Sequence, residues 1–266
     1  MMGPAKVHLA RLRIMLVLVL LAILIARIAL ANRSDPSLQR VQQAGVLIVA
    51  LDASYPPFET TDGQGNFSGF DVAVAQEIAQ RLGVDVQFAN IAFDNLYDAL
   101  TSRRADIVVS GLRYEAERTR DVIYTTSYFD AGQVLIVRTG DTINEPADLA
   151  GQTVAVEWAA EGDIEAQKLA KKTAGMRVQQ YDTQAEALAA LRSGAVAAAV
   201  TDHVSALELS KGQPDLRLLA PPFAPDPLVI AGHIADRTLM SEVNRLIKAM
   251  QAEGVVSRLV LLHLAQ

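Results

Sequence analysis

Twice along the chain, short runs rich in β-branched residues alternate with helical patterns in the same order, and this restarted series narrows the fold more than any other feature. Runs at 46–51, 84–89 and 107–109 are separated by helical stretches over 70–82 and 95–103. The series begins again with runs at 153–156, 177–181 and 197–201, separated by helical stretches over 163–173 and 184–192. Alternation of this kind is the pattern of βαβ units, which build parallel-rich sheets covered by helices. An α/β chain of two similar lobes is therefore expected.

A faint internal repeat points the same way. Phe93-Asp94-Asn95 with Ala99-Leu100 resembles Tyr181-Asp182-Thr183 with Ala187-Leu188, and each is followed by an apolar strand. Those strands end in Ser110-Gly111 and Thr201-Asp202. Ligands of open α/β sheets sit beyond the carboxyl ends of strands, so these two tips are expected to line a shared cleft. Two extended segments join the lobes: 128–137, interrupted by Gly132, and 228–234, preceded by Pro221-Pro222-Phe223-Ala224-Pro225-Asp226-Pro227. A two-strand crossing of this kind would serve as a hinge that lets the lobes close.

Several chemistries find no footing in the sequence. The Gly63-Gln64-Gly65-Asn66-Phe67-Ser68-Gly69 stretch lacks dinucleotide-loop spacing, and its Asp62-Gly63 and Gly65-Asn66 pairs read as a hairpin turn. No Walker loop and no G-x-S-x-G elbow occurs. His8, His203, His233 and His263 are scattered, and the chain has no cysteine, which removes disulfides, thiolate metal sites and cysteine nucleophiles. Neither a cofactor nor a metal is implied.

The positive signal is a set of segments in fixed order. Tyr55-Pro56-Pro57-Phe58-Glu59, Gly69-Phe70-Asp71-Val72, Ala105-Asp106-Ile107-Val108-Val109-Ser110-Gly111, Glu117-Arg118, Asp148-Leu149-Ala150-Gly151 and Val200-Thr201-Asp202 together resemble the polar amino-acid binding proteins of ABC transporters, extracellular solute-binding protein family 3. The resemblance runs from about residue 38 to about residue 259. It implies a two-lobed periplasmic-binding-protein fold, with lobe one over 32–131 and 226–266 and lobe two over 132–225. It also implies an extracytoplasmic, non-enzymatic protein that captures a small amino-acid-like solute and hands it to a membrane permease.

The residues have chemistry suited to that task. An α-amino acid carries a carboxylate and an ammonium, and desolvating either is costly unless a hydrogen-bonded opposite charge meets it. Arg118 can fork onto the carboxylate and Asp202 can accept from the ammonium. The resemblance assigns those roles to these positions, adds Asp52, Ser110 and Gly111 to the lining, and places Tyr55 and Phe93 around the ligand side chain. Without it, Arg118 reads as a surface residue and Asp202 as either a ligand contact or a helix N-cap.

This chain departs from the family at several places. Glu115 replaces a usual Thr, Arg113 a small hydroxyl residue, Ala159-Ala160-Glu161 a hydroxyl-rich turn, and Ala73 an acidic residue. Arg113, Glu157 and Glu161 thus join the possible ligand contacts. Either glutamate is expected to pair with Arg113, to meet a cation on the ligand, or to lie on the solvated start of a helix near Asp163. The pairings favour a ligand with a basic or polar side chain. Two other readings share the fold: a ligand-sensing receptor, and an extracytoplasmic dehydratase drawing on Glu115, Glu157 or Glu161.

Charge and hydropathy at the N-terminus bear on where the chain works. Lys6, Arg11, Arg13 and Arg27 are the charges of the first 31 residues, leaving 20 basic against 30 acidic residues in the rest. So acidic a body disfavours nucleic acid as a partner. Behind the basic leader, residues 14–26 form 13 consecutive apolar positions, and Ala29-Leu30-Ala31 supplies a small-x-small site. That is a signal-peptide core, short of the roughly 20 residues a spanning helix needs. Arg27 lies between core and site, where its stem can snorkel and leave residues 1–31 as a membrane anchor. Both alternatives export the remainder. N-terminal sequencing of the exported protein is expected to start at Asn32, whereas an intact Met1 or Met2 identifies the anchor.

Overall fold

A computed structural model describes Met15 and residues 35–265. The segment read as signal or anchor, apart from Met15, lies outside the described residues. Among the described residues, no helix is long and apolar enough to cross a membrane.

In chain order, α1 (Ser37–Ala44) leads into β1 (Val46–Leu51), a small sheet of β2 (Ser54–Tyr55), β3 (Glu59–Thr61) and β4 (Phe67–Ser68), then α2 (Phe70–Leu82) and β5 (Asp85–Asn90). Next come α3 (Leu96–Thr101), β6 (Ile107–Val108), β7 (Val122–Tyr124), β8 (Phe129–Asp130) and β9 (Gln133–Arg138). The second series follows: β10 (Thr153–Glu157), α4 (Glu161–Ala170), β11 (Arg177–Tyr181), α5 (Gln184–Arg192), β12 (Ala198–Asp202) and α6 (His203–Ser210). The chain ends with β13 (Leu216–Ala224), β14 (Pro227–Leu228), β15 (Ala231–His233), α7 (Arg237–Ala252) and α8 (Val255–His263).

The strands form two five-stranded sheets, ordered β5-β1-β6-β15-β7 and β11-β10-β12-β9-β13. Each begins with the same parallel triplet, the first strand of its series lying between the second and third. Antiparallel strands complete both sheets, so each is mixed. Alternate residues of a strand face opposite sides, and here both sides are apolar. Leu47 and Val49 enter one cluster with Phe70, Val74 and Ile78 of α2, while Ile48 and Ala50 face Leu96 and Leu100 of α3. Val154 and Val156 likewise pack towards α4 while Ala155 meets Ala187, Leu188 and Leu191 of α5. The turn read at 62–66 is a hairpin turn: Asp62 Oδ1 accepts from the N–H groups of Gln64 and Asn66, both at 2.8 Å.

The proline-rich run is largely extended. It continues β13 at the edge of its sheet, with a register shift between Leu219 and Ala224. Prolines donate no ladder hydrogen bond and are tolerated at an edge, where the missing bonds leave no partner strand unsatisfied. After it, β14 pairs antiparallel with β8, Pro227 opposite Asp130 and Leu228 opposite Phe129. Gly132 follows β8 where the backbones nearly touch: a Cβ there would lie 2.1 Å from the Ala224 carbonyl oxygen and 2.7 Å from Asp226 N. Only glycine fits. Gly132→Ala is expected to cost about 1–3 kcal/mol through overpacking, read as a lower urea midpoint at unchanged m-value. A wild-type midpoint would show that the crossing segments part without strain.

Candidate functional site

The parallel pairing of β1 with β6 brings Asp52 and Ser110-Gly111 out at one edge of the first sheet. Asp52 N–H donates to Ser110 Oγ at 3.0 Å. The Asp52 carboxylate accepts from Ser54 Oγ at 2.7 Å and from Phe93 N–H at 2.8 Å, so it fixes the chain on both sides of a cavity of about 330 Å³. Tyr55 and Phe93 are half exposed on that cavity, and Tyr55 stacks on Phe58 with centroids 5.1 Å apart. Gly111 has φ +54°, and a Cβ on it would stand 3.2 Å from the Tyr55 ring.

The second sheet contributes from β12 and β9, where Asp202 lies opposite Gln133. Asp202 caps α6, its Oδ1 accepting from Ser205 N–H at 2.9 Å, and the same side chain lines a cleft of about 700 Å³. Tyr55 and Arg113 reach that cleft from the first sheet, Gln133, Glu161 and Glu165 from the second, and Asp226 from the segment before β14. A smaller cavity of about 170 Å³ adjoins it, shared by Gln133, Glu157, Glu161, Gln184 and Asp202. Gln133 Oε1 and Gln184 Nε2 are buried there with no partner among the described residues. Buried polar atoms are normally satisfied, so an unpaired acceptor and an unpaired donor give this cavity a polar appetite.

The two arginines of the 111–118 segment are held differently. Arg113 forks onto Asp226, with Nε 2.6 Å from Oδ1, and these bonds keep its guanidinium above its ordinary pKa. The expected pairing of Glu157 or Glu161 with Arg113 is therefore not formed. Asp226 takes the guanidinium because its segment runs alongside, Arg113 bridging to Leu228. Arg118 lines none of these cavities. Its guanidinium stands 4.5 Å over the Tyr97 ring and meets Glu115 through a single contact of 3.3 Å. Glu115 also accepts from the Tyr97 hydroxyl at 3.0 Å. Glu115 thus engages both Tyr97 and Arg118.

The structure accordingly brings Asp52, Tyr55, Phe93, Ser110, Gly111 and Arg113 around one cavity, and Tyr55, Arg113, Glu161 and Asp202 around the cleft. Glu157 borders the small cavity. Glu161 is exposed at the first position of α4, in keeping with the solvated helix start. The cleft is acidic: Glu161, Glu165, Asp202 and Asp226 face Arg113, and Lys168 offsets Glu165 at 2.6 Å.

This geometry can be set beside known proteins. The sequence profile of the bacterial extracellular solute-binding proteins, family 3, matches residues 47–263. The chain belongs to that family. It is 29% identical to the L-cystine-binding protein TcyJ of Escherichia coli over 240 residues, 89% of each chain. It is 29% identical to the L-arginine-binding protein of Pseudomonas aeruginosa over 216 residues, 77% of this chain and 83% of that one. The crystal structure of an ancestral cyclohexadienyl dehydratase superposes with a TM-score of 0.70 at 25% identity, covering 86% of this chain and 96% of that one. The solute-binding fold is thus shared with proteins of more than one activity.

Sequence reading passed over Gln133, Glu165, Gln184 and Asp226. For Gln133 a signal existed, since it follows Gly132 in the crossing segment and faces the tip of β12. Asp226 carried one too, as the single charge within the proline-rich run. Arg118→Ala or Asp202→Ala is expected to cost about 3–5 kcal/mol of ligand binding, the scale for stranding a desolvated partner charge, with the fold intact by circular dichroism. Calorimetric titration giving near-wild-type affinity for both would place the ligand elsewhere.

Proposed function

We propose that this solute-binding protein captures an amino acid with a cationic side chain outside the cytoplasm and delivers it to an ABC transporter permease. The observation that carries the reading is the charge of the cleft: Asp226 engages Arg113 and Glu165 engages Lys168, which leaves Glu161 and Asp202 facing the cleft with no ion pair among the described residues. Desolvating a ligand cation there is offset by opposite charge, whereas a second acid would add like-charge repulsion.

The family resemblance gives the ligand carboxylate to Arg118, which stands outside the cleft lining while it is held by Glu115. Its ion pair with Glu115 is a single, half-exposed contact, and such pairs contribute only about 0–1 kcal/mol. An incoming carboxylate therefore displaces Glu115 at little cost, while the doubly bonded Arg113 stays with Asp226. Asp202 accepts from the α-ammonium with the oxygen that does not cap α6, and Tyr55 and Phe93 hold the side chain. Lobe one, 32–131 with 226–266, closes on lobe two, 132–225, about the paired segments β8 and β14.

Capture without turnover suits the same features. The ancestral dehydratase shares the fold, yet an acidic cleft is poorly matched to a prephenate-like diacid. Glu115 is occupied by Tyr97 and Arg118. Two relatives carry L-arginine or L-cystine in their names, which keeps amino acids with extended polar ends foremost among ligands. A competition series of Arg, Lys, His, Gln, Glu and Asp is expected to rank the basic residues first, with Glu161→Gln narrowing their advantage. Preference for Glu or Asp, or an unchanged ranking in Glu161→Gln, would remove the cationic specificity.

A further inference from the structure

Beneath the Ser110-Gly111 rim lie two carboxyl groups, one of which, Glu59, also borders the 330 Å³ cavity between Tyr55 and Phe93. Glu59 on β3 and Asp71 on α2 are both fully buried. Asp71 is well supplied with donors: Gly111 N–H reaches Oδ2 at 2.7 Å, and the Tyr128 hydroxyl lies 2.8 and 2.9 Å from its two oxygens. Glu59 is not. Its Oε1 accepts from the Ser110 hydroxyl at 2.5 Å, while Oε2 is buried and receives no hydrogen bond. The two carboxyl groups stand within hydrogen-bonding reach of each other. As two carboxylates they would meet acceptor to acceptor.

We propose that Glu59 and Asp71 share a single proton, carried by Glu59 and donated to Asp71, and that this acid–carboxylate pair is the positioning device holding Ser110 and Gly111 at the binding rim. One proton removes both anomalies: the orphaned glutamate oxygen becomes a donor, and two like charges in a dry site become one. Arg113 lines the cavity that Glu59 borders but is forked onto Asp226, and the remaining groups facing the pair leave the same choice. Ser110 and Gly111 approach from the segment after β6, Tyr128 from the segment before β8, and the acids and phenols Asp52 and Tyr55 act from farther off at the end of β1 and on β2. Among the described residues no lysine or arginine pairs with either carboxyl group.

Burial, then the charge of Asp71, push the Glu59 carboxyl up to about 9, whereas Asp71, raised by burial but held down by Gly111 N–H and Tyr128, rises to about 6. At pH 7 the proton therefore belongs to Glu59 and the charge to Asp71. The charged oxygen anchors Gly111 in its left-handed conformation, and the neutral acid accepts from Ser110, whose oxygen in turn receives Asp52 N–H. Ionising Glu59 would set two carboxylates against each other directly behind these contacts.

The pair itself is independent of any ligand, and only its effect on capture rests on the proposed function. Infrared spectra of the unliganded protein at pH 7 are expected to show the carbonyl stretch of a neutral carboxylic acid, shifted by isotopic labelling of glutamate and not of aspartate, and absent from Glu59→Gln. Folded Glu59 keeps its proton to about pH 9 while the unfolded group releases it near 4.5. The folded state thus binds the extra proton between those values, and stability falls as pH rises through that window. The fall should be steeper in the wild type than in Glu59→Gln. In ligand titrations from pH 7 to 10, wild-type affinity should drop severalfold more than the ligand's own ammonium explains, the variant following the ammonium alone. No neutral-acid band, a band that follows labelled aspartate, or equal stability slopes would overturn the shared proton. A band with matching affinity curves would overturn only the positioning role.

Discussion

Asp130 Oδ1 accepts from the backbone N–H groups of Gly132 and Asp226 at 2.9 and 2.8 Å, and so ties together the two places where the chain passes between its sheets. Ala131 N–H adds a bond to the Asp226 carbonyl at 3.0 Å. His203, at the head of α6, completes the knot: its N–H donates to the Gly132 carbonyl and its ring nitrogen lies 2.7 Å from the Asp130 carbonyl. Everything that lines the cleft on the second sheet is placed relative to this crossing. Gln133 is the next residue along β9, and Asp202 the residue before His203. The same segment presents Asp226 to Arg113, so the carboxylate engaging the first-sheet arginine and the backbone of the crossing belong to one short stretch.

The two halves of the site obey different rules. On the first sheet the geometry is built from backbone N–H groups and buried side chains, and Ser110 and Gly111 are held by Asp52 N–H, Glu59 and Asp71. On the second sheet Gln133 comes from β9 and the carboxylates come from helices, with Glu161 opening α4 and Asp202 capping α6. Carboxylates there sit well with the positive end of the helix dipole even without a ligand. Asp202 therefore serves as both N-cap and cleft lining, and the two readings offered by the sequence are compatible: one oxygen is used by Ser205 N–H, and the other is left to the cleft.

Periodicity carried the fold almost entirely. The helices over 70–82 and 184–192 and the strands over 46–51 and 177–181 stand where the patterns put them, because their apolar spacing matches the sides they bury. The α4 helix starts two residues before the expected 163, since Ala160 opens it without a side-chain cap that the sequence would reveal. Strand tips were legible because parallel pairing leaves little freedom in where they end, and Asp52, Ser110 and Gly111 follow from that. Arg118 was harder to read. A long side chain on an exposed turn takes its place from whichever partners are near: Glu115 stands three residues earlier on the same segment, whereas the approach of Tyr97 appears only in three dimensions. The proton proposed on Glu59 was hidden for a similar reason: it depends on three segments meeting where, among the described residues, no lysine or arginine pairs with either carboxyl group.

The arginine ion pairs in and beside this cleft are weak while they are open to water. Arg113–Asp226 and Arg118–Glu115 are each at least partly exposed, and a pair of charges at 4 Å is worth only about 1 kcal/mol at the dielectric constant of water. Closure about the crossing would strip that water away. The same charges at an effective dielectric of about 20 interact roughly four times more strongly, and a mismatched charge is penalised by the same factor. Discrimination between a cationic and an acidic ligand would therefore arise mainly in the closing step, after a first encounter that is only loosely selective. On the proposed reading, closure turns about the crossing that Asp130 ties, where Gly132 lets the backbones touch, and would rebuild neither wall. The frame around Ser110 and Gly111 can then stay rigid while exposed glutamates and arginines exchange partners.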